Sequence, residues 1–276
     1  MTKRALVLGG GGVAGIAWET GVLAGLAAGG VDCLAADKIL GTSAGATVAA
    51  QITSGLPMEE LYRRQADPAL QNTELPSGVS VERLMALFED MYKRGPDLAT
   101  VRKEAGSLAL AAETVDEPVR RGVIASRLPR HEWPRDAGVE MVAVDTATGE
   151  HQVFHRGSGV GLVEAVAASC AVPGVWPPVT IGATRYMDGG VRSGVNADLV
   201  AGCERVLILA PMEDVQLAGQ IDLLEESGRV ELITPDEESA AAMGADPLDP
   251  AVRTPSAEAG YAQGRALAGR VAVFWD

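Results

Sequence analysis

Ser43 has the setting in this chain that best suits nucleophilic chemistry. It is the central residue of Gly41-Thr42-Ser43-Ala44-Gly45, which follows the apolar run Lys38-Ile39-Leu40 and precedes Ala46-Thr47-Val48-Ala49-Ala50. A strand, a sharp turn and a helix with serine at the apex form a nucleophile elbow. Glycines at both ends tolerate the strained turn and allow close strand–helix packing. The alternative is a chance match, since the chain contains 33 glycines.

A glycine-rich loop near the N-terminus predicts a site for a negative charge. The buried-strand pattern Ala5-Leu6-Val7-Leu8 runs into Gly9-Gly10-Gly11-Gly12, and apolar residues then recur at helical spacing from Trp18 to Leu26. Backbone N–H groups at such a helix start are unpaired and point at one spot. In acyl transfer the anion is the oxygen of the tetrahedral intermediate, where one donor is worth roughly 2.7–4 kcal/mol.

The same loop allows a second interpretation, a dinucleotide site in an oxidoreductase. Gly10-x-Gly12-x-x-Gly15 matches the dinucleotide fingerprint, and Asp32 lies about 20 residues further on, where an acid would bind the ribose. However, the fingerprint is weak in a glycine-rich chain. The segment after Asp32 is also a poor strand, since Leu34 to Ile39 contains Asp37 and Lys38.

A serine needs a base to accept its proton. In the α/β-hydrolase order serine, acid, histidine, the histidine comes last, but the chain has only His131, His151 and His155. Asp188, in Tyr186-Met187-Asp188-Gly189-Gly190, follows a predicted strand and could expose its carboxylate at a tight turn. It could equally belong to an ordinary Asp-Gly hairpin turn. The remaining option for activating Ser43 is a carboxylate acting directly.

These motifs together resemble the patatin-like phospholipases of the bacterial type. The resemblance runs from Ala5 to about Asp198 and includes the glycine loop, the serine motif, Ala168-Ser169-Cys170-Ala171-Val172-Pro173 and Asp188-Gly189-Gly190, in the family's order. Trp176-Pro177-Pro178-Val179 is similar to the family's Phe-Pro-Pro stretch with an aromatic exchange. Four ordered motifs are much more specific than any one of them.

The resemblance implies a Ser–Asp dyad that hydrolyses lipid acyl esters, of phospholipase A, lysophospholipase or carboxylesterase type, with no metal or organic cofactor. Ser43 would be the nucleophile and Asp188 the base. The implied oxyanion hole consists of the backbone N–H groups of Gly10, Gly11, Gly12 and Val13. The supporting glycines of the motifs are Gly15, Gly41, Gly45, Gly189 and Gly190.

Position 14 departs from the family pattern. Many relatives carry arginine there, whereas this chain has Ala14. The backbone donors survive the change, but the charge support of a guanidinium is lost. A catalytically weak, lipid-binding relative therefore stays open as an alternative.

The pattern of elements predicts a three-layer α/β/α fold with a mostly parallel central sheet. Strands are expected at 4–9, 37–41, 139–145, 151–155, 179–186 and 205–210. Helices are expected at 15–28, 43–54, 57–66, 80–92, 97–112, 115–126, 162–170, 195–202 and 256–268.

One patatin-like domain is expected over residues 1–276, with a helical insertion or lid at 57–135. Within the insertion, Leu84, Leu87, Phe88 and Met91 form an apolar stripe that serves either as core or as a wall for an acyl chain. Residues 211–255 are expected to be an acidic irregular segment. Between Glu213 and Asp249 there are eleven acidic residues and one basic residue, Arg229.

Composition limits the partners and the location. A net charge of −14 argues against nucleic acid and against anionic membrane surfaces. The lipid or acyl-ester substrate that the resemblance implies would therefore be met with at most peripheral membrane contact. Two uncharged stretches, 39–58 and 165–184, contain glycine and proline and are expected to be buried elements, not membrane spans. Three widely spaced cysteines and a start, Met1-Thr2-Lys3-Arg4, without a following apolar run favour the cytoplasm. The oligomeric state is left open.

Overall fold

A mixed, mostly parallel sheet forms the centre of the molecule. The computed structural model describes residues 3–95 and 97–275. Its strands are β1 (Arg4–Leu8), β2 (Lys38–Thr42), β3 (Gly138–Asp145), β4 (His151–His155), β5 (Val179–Ile181), β6 (Thr184–Asp188), β7 (Arg205–Leu209) and β8 (Arg229–Ile233). Their order is β5-β6-β3-β2-β1-β7-β8, and β4 pairs with β3. The five strands from β8 to β3 are parallel, while β4, β5 and β6 pair antiparallel.

Helices cover both faces of the sheet. They are α1 (Gly12–Ala28), α2 (Ala44–Ile52), α3 (Met58–Ala66), α4 (Val81–Arg94), α5 (Leu98–Ala111), α6 (Glu117–Arg127), α7 (Leu162–Ser169), α8 (Leu217–Glu225), α9 (Glu237–Met243) and α10 (Arg253–Trp275). Alternate strand residues point to opposite faces, so Leu6 and Leu8 pack with α1, α2 and α7, while Val7 packs toward α8. Helix α5 covers Val144 and Met187 on that second face. The predicted α/β fold with a helix-flanked sheet is confirmed.

Helices α1 and α10 pack with their backbones in contact. A Cβ on Gly21 would meet the Ala257 carbonyl of α10, and one on Gly260 would meet the Trp18 carbonyl of α1. Small residues at this crossing hold α1 close to the C-terminal helix. The glycine loop at the start of α1 therefore has a rigid support.

Several predicted elements differ from those observed. The single strand expected at 179–186 is a hairpin, β5–β6, because Gly182 has a φ of 63° and turns the chain. The helix expected at 195–202 is only a short 3₁₀ turn, Ala197–Val200. Helix α10 extends beyond 256–268 at both ends. It begins earlier because Pro255 lies in its first turn, where proline is tolerated.

The acidic segment is more regular than expected. Residues 211–255 contain α8, β8 and α9, with β8 pairing parallel to β7 at the sheet edge. The polar residues of the sequence RVELI weaken the strand pattern, because an edge strand is only partly buried.

Among the described helices, no stretch has the length and apolarity to cross a membrane. Met1 and Thr2, part of the N-terminal segment considered above, lie outside the described residues.

Candidate active site

Ser43 occupies a strained turn between β2 and α2. Its φ of 54° and ψ of −112° make it one of two described non-glycine residues with positive φ. Such a conformation costs on the order of 1–3 kcal/mol and persists only where the surroundings impose it. The strain lifts the partly exposed Ser43 side chain onto the wall of a cavity.

The glycines around Ser43 are required by close approach. A Cβ on Gly41 would lie 2.5 Å from the Gly45 carbonyl, and a Cβ on Gly45 would overlap the Leu8 carbonyl of β1. Gly45 N–H also donates to the Gly9 carbonyl at 2.9 Å, which ties the elbow to the glycine loop. A Cβ on Gly15 would be 3.3 Å from the Ala44 Cβ. The predicted motif glycines therefore pack β1, β2, α1 and α2 together at this point.

The segment after α7 holds the elbow in place. Ser43 N–H donates to Ser169 Oγ at 2.9 Å, and Cys170 Sγ donates to the Ser43 carbonyl at 3.0 Å. Asp188 N–H donates to the Ala171 carbonyl at 2.9 Å. Residues 169–171 thus contact the backbone of both predicted catalytic residues, which accounts for the Ser169-Cys170-Ala171 part of the sequence motif.

Asp188 is the last residue of β6, and only one of its two carboxylate oxygens accepts a hydrogen bond. Gly190 N–H donates to Oδ1 at 2.7 Å, while Oδ2 is buried without a hydrogen-bond partner among the described residues. Burial raises the pKa of Asp188 to about 7, against the lowering effects of the Gly190 N–H, the nearby Ser43 hydroxyl and the Arg120 charge. The Ser43 hydroxyl thus lies beside the carboxylate without completing a standard hydrogen bond to Oδ2. A Cβ on Gly189 would overlap the Val142 carbonyl.

A residue that the sequence did not single out joins the two motifs. Asn196 is fully buried in a left-handed conformation, with φ 56°. Its Nδ2 donates to Thr42 Oγ1 at 3.1 Å and to the Gly189 carbonyl at 3.2 Å, so one amide links the neighbours of Ser43 and Asp188. Sequence alone gives Asn196 no signal beyond a Val-Asn-Ala run.

The glycine loop presents free donors, but not all of those predicted. Gly10 N–H donates to the Gly194 carbonyl at 2.7 Å, so the prediction of Gly10 as an oxyanion donor is wrong in this geometry. The N–H groups of Gly11, Gly12 and Val13 have no hydrogen-bond partner among the described residues, and all three residues line the cavity with Ser43. Ala14 is buried, and its N–H donates to the Pro247 carbonyl at 3.0 Å.

One cavity of about 540 Å³ joins these groups. Its volume is within the range of small-ligand sites. Ser43, Asp188 and the glycine loop all line it. Much of the remaining wall is apolar and includes Ile16, Leu75, Leu84, Phe88, Val172 and Leu248. The four residues of the predicted apolar stripe on α4 have different surroundings. Leu84 and Phe88 line the cavity, Met91 belongs to the core, and Leu87 is exposed.

Charged residues from the helical segment also reach the cavity, and none was predicted. Glu74 accepts two hydrogen bonds from Arg127, at 2.9 and 2.6 Å. Burial raises the pKa of Glu74, but the Arg127 charge and hydrogen bonds outweigh it and lower the pKa overall. Arg120 lies over the Trp176 ring, 3.7 Å from its centroid. In sequence, Arg120 and Arg121 are indistinguishable, and only the fold buries the first.

A second serine–aspartate pair lines the same cavity. Ser193 Oγ hydrogen-bonds to Asp214 Oδ2, and it also accepts N–H groups from Asn196 at 2.9 Å and Gln220 at 3.1 Å. This hydroxyl is therefore fully engaged in holding the loop after β6.

The alternative groups lie elsewhere. His131, His151 and His155 are exposed and do not line the cavity. Asp32 caps a turn before β2, at the opposite end of the sheet from the glycine loop, and its side chain accepts Leu34 N–H at 3.0 Å. That position contradicts a ribose contact. Within the described residues, no three His, Cys, Asp or Glu side chains group as metal ligands.

A family model of the patatin-like phospholipases matches residues 6–201. The chain therefore belongs to the patatin-like phospholipase family, a family of lipid acyl hydrolases. No curated protein matches the sequence.

Two solved structures are similar to it over 98% of the chain. VipD from Legionella pneumophila is 15% identical with a TM-score of 0.46, and the type III effector protein ExoU is 16% identical with a TM-score of 0.43. The matches cover 67% of the VipD chain and 53% of the ExoU chain, so this chain spans about two thirds of one and half of the other.

Proposed function

We propose that the protein hydrolyses lipid acyl esters with Ser43 as nucleophile and Asp188 as general base. Ser43 Oγ attacks the ester carbonyl while Asp188 takes its proton. The tetrahedral oxyanion accepts N–H groups of Gly11, Gly12 and Val13, and Asp188 then protonates the leaving alcohol. Water attacks the acyl-enzyme with Asp188 again as base, which returns Ser43 and releases the carboxylic acid.

The observation that carries this proposal is that several polar groups around one cavity lack hydrogen-bond partners among the described residues. Ser43 is held at positive φ, Asp188 Oδ2 lacks a partner, and three loop N–H groups are free, and all of these residues line the same cavity. Unpaired buried groups of this kind cost stability in the empty protein. They are explained if the reacting ester supplies their partners.

Two other functions were open from the sequence. The oxidoreductase alternative loses its support, because Asp32 lies at the far end of the sheet. A catalytically idle lipid-binding relative would retain the cavity but would not turn over esters. A turnover assay therefore separates the idle relative from the hydrolase.

We infer one patatin-like domain, with 57–135 as a helical insertion that carries part of the substrate wall. This inference is supported by Leu84, Phe88 and Arg120, which come from α4 and α6 and line the cavity. A cytoplasmic location is also proposed, since Cys33, Cys170 and Cys203 are buried free thiols of the kind usual in reducing compartments.

The substrate class is tested with p-nitrophenyl esters from acetate to decanoate. Each methylene buried in the cavity contributes roughly 0.8 kcal/mol. We expect kcat/KM to rise at least about tenfold from acetate to decanoate, equivalent to ~1.4 kcal/mol. A flat or falling profile would identify a small-ester hydrolase instead.

Variants of α4 locate the chain-length effect. Leu84→Ala and Phe88→Ala remove cavity wall and are expected to reduce decanoate hydrolysis more than acetate hydrolysis. Leu87→Ala is the matched control on the same helix, because Leu87 is 38% exposed and does not line the cavity. Equal effects of all three changes on both esters would show that α4 does not contact the acyl chain.

A further inference from the structure

Arg120 of α6 is a buried cation whose hydrogen-bonding capacity is largely unused. Its side chain is 7% exposed and lines the cavity. Nε and Nη1 are enclosed and have no hydrogen-bond partner among the described residues. Burying a charge without partners is costly, so such a group calls for an explanation.

The neighbouring carboxylate is already engaged. Glu74 receives two hydrogen bonds from Arg127 and one from Asn72 Nδ2 at 2.8 Å. Arg120 Nη1 is 3.9 Å from Glu74 Oε2, beyond hydrogen-bond distance. Two guanidinium groups therefore share one carboxylate, and Arg120 is the one without a hydrogen bond to it.

The surroundings hold the guanidinium in a fixed position. It lies over the Trp176 ring, and Trp176 is itself 4% exposed. Burial, with a smaller effect of Arg127, lowers the pKa of Arg120 to about 9, so it is still charged at neutral pH. Arg120, Arg127 and Glu74 are neighbours in the cavity wall and together carry a net positive charge.

We propose that Arg120 forms a subsite for the phosphate group of a lipid substrate, next to the Ser43–Asp188 centre. The proposal rests on the proposed function and adds to it a preference for esters that carry a phosphate. A planar guanidinium matches the oxygens of a phosphate and binds them through paired, charge-assisted hydrogen bonds. A phosphate bound in the cavity beside Arg120 would place a second negative charge next to this guanidinium, which now shares Glu74 with Arg127.

The first test uses the unmodified protein. Decyl phosphate and decyltrimethylammonium, both below their micelle concentrations, compete with p-nitrophenyl decanoate. We expect decyl phosphate to inhibit at least tenfold more strongly than the cation of equal chain length. Equal inhibition overturns the proposal. Inorganic phosphate is expected to be at least tenfold weaker than decyl phosphate, and equal potency would indicate a free-phosphate site instead of a lipid one.

The second test measures binding of decyl phosphate by calorimetry in a Ser43→Ala background. Arg120→Gln is expected to weaken binding at least tenfold, and Arg120→Lys less. Arg121→Gln is the matched control, because Arg121 is exposed on the same helix and pairs with Glu164 at 2.8 Å. Thermal unfolding checks that each variant is folded. If Arg120→Gln does not fold, Arg120→Lys and the competition assay decide.

The outcomes separate the subsite from the proposed function. If Arg120→Gln weakens decyl phosphate and decyltrimethylammonium by the same factor, its role is structural and the subsite is refuted. If decyl phosphate binds with the expected dependence on Arg120 but no ester is hydrolysed, the subsite stands and the hydrolase proposal fails. If decanoate is hydrolysed without any phosphate preference, the hydrolase stands and the subsite fails.

Discussion

The cavity contains two serine–aspartate pairs whose surroundings differ sharply. Ser193 lies in a loop, binds Asp214, and accepts further N–H donors, so its polar atoms are satisfied. Ser43 is strained at φ 54°, and its neighbour Asp188 has a buried oxygen without a partner. Both serines line the same space. Proximity of a serine to a carboxylate therefore does not distinguish the two pairs, whereas the strained turn and the unsatisfied carboxylate do, and they are the basis for proposing Ser43 as the nucleophile.

The comparison also separates stability from activity. The satisfied pair holds together the loop that carries Asn196, and its loss should destabilise the fold. The unsatisfied pair contributes little to folding, since its strain and burial oppose the native state. Substitutions in the Ser193–Asp214 pair are therefore expected to lower stability more than turnover. Substitutions in the Ser43–Asp188 pair are expected to lower turnover more than stability.

The largest expected effect is on turnover by Ser43→Ala. We expect kcat to fall by at least about 10³-fold, because the covalent step is lost. Ser193→Ala is the matched control and should instead lower the free energy of unfolding by about 1–3 kcal/mol, because it leaves buried donors unpaired. Ester turnover and urea unfolding of both variants measure this. Loss of turnover in Ser193→Ala alone would reverse the assignment of the two pairs.

Asp188→Asn should reduce kcat by a similar factor, and combining it with Ser43→Ala should add little, since the two residues act as a unit. Because the base must be ionised and its pKa is about 7, kcat/KM for a neutral ester should rise about tenfold per pH unit below pH 7 and level off above it. The control replaces all three histidines. Loss of activity in that triple variant would show that a histidine is the base.

Much of this site follows from the sequence because its motifs are local. Ser43 with its glycines and Asp188 with Gly189 and Gly190 are contiguous segments whose turn chemistry constrains the backbone. Asn196 and Arg120 act through contacts between distant segments, and nothing in their sequence neighbours distinguishes them. The hydrogen bond that occupies the Gly10 N–H likewise depends on a distant residue, because its acceptor is the carbonyl of Gly194, near the other end of the region that the family model matches.

The fold shows the same division. Strongly apolar strands such as β1 and β7 were predicted close to their observed bounds. The edge strand β8 and the helix α8 were missed, because their polar residues face solvent and weaken the periodic pattern.

A smaller effect on turnover is expected from Asn196→Gly. Glycine accepts the φ of 56°, so the change removes the side-chain amide without straining the backbone. The lost hydrogen bonds are those to Thr42, Gly189, the Ser193 carbonyl and Arg192. We expect kcat to fall about tenfold with KM little changed, as for a positioning residue. Gln220→Ala, which removes buried hydrogen bonds to Ser193 and Ala197, is the control for lost stability. Equal losses of kcat in both variants would reduce the role of Asn196 to folding.

The remaining effect concerns the dependence of stability on pH. The pKa of Asp188 rises from 3.8 to about 7 on folding. Between these values the native state binds the extra proton, so the free energy of unfolding falls by about 1.4 kcal/mol per pH unit as pH rises. The loss of stability caused by ionising this buried carboxyl is absent below about pH 4 and complete above about pH 7. Asp188→Asn should lack this slope in urea unfolding from pH 4 to 7, and identical slopes in both proteins would contradict the burial of an ionisable carboxyl.

The most direct measurement of the central claim is the site of covalent labelling by a lipid-like fluorophosphonate. The account predicts a single adduct on Ser43, found by mass spectrometry of the digested protein. Labelling should be absent in Ser43→Ala and retained in Ser193→Ala. An adduct on Ser193, or no adduct on a protein that still hydrolyses esters, would contradict the account.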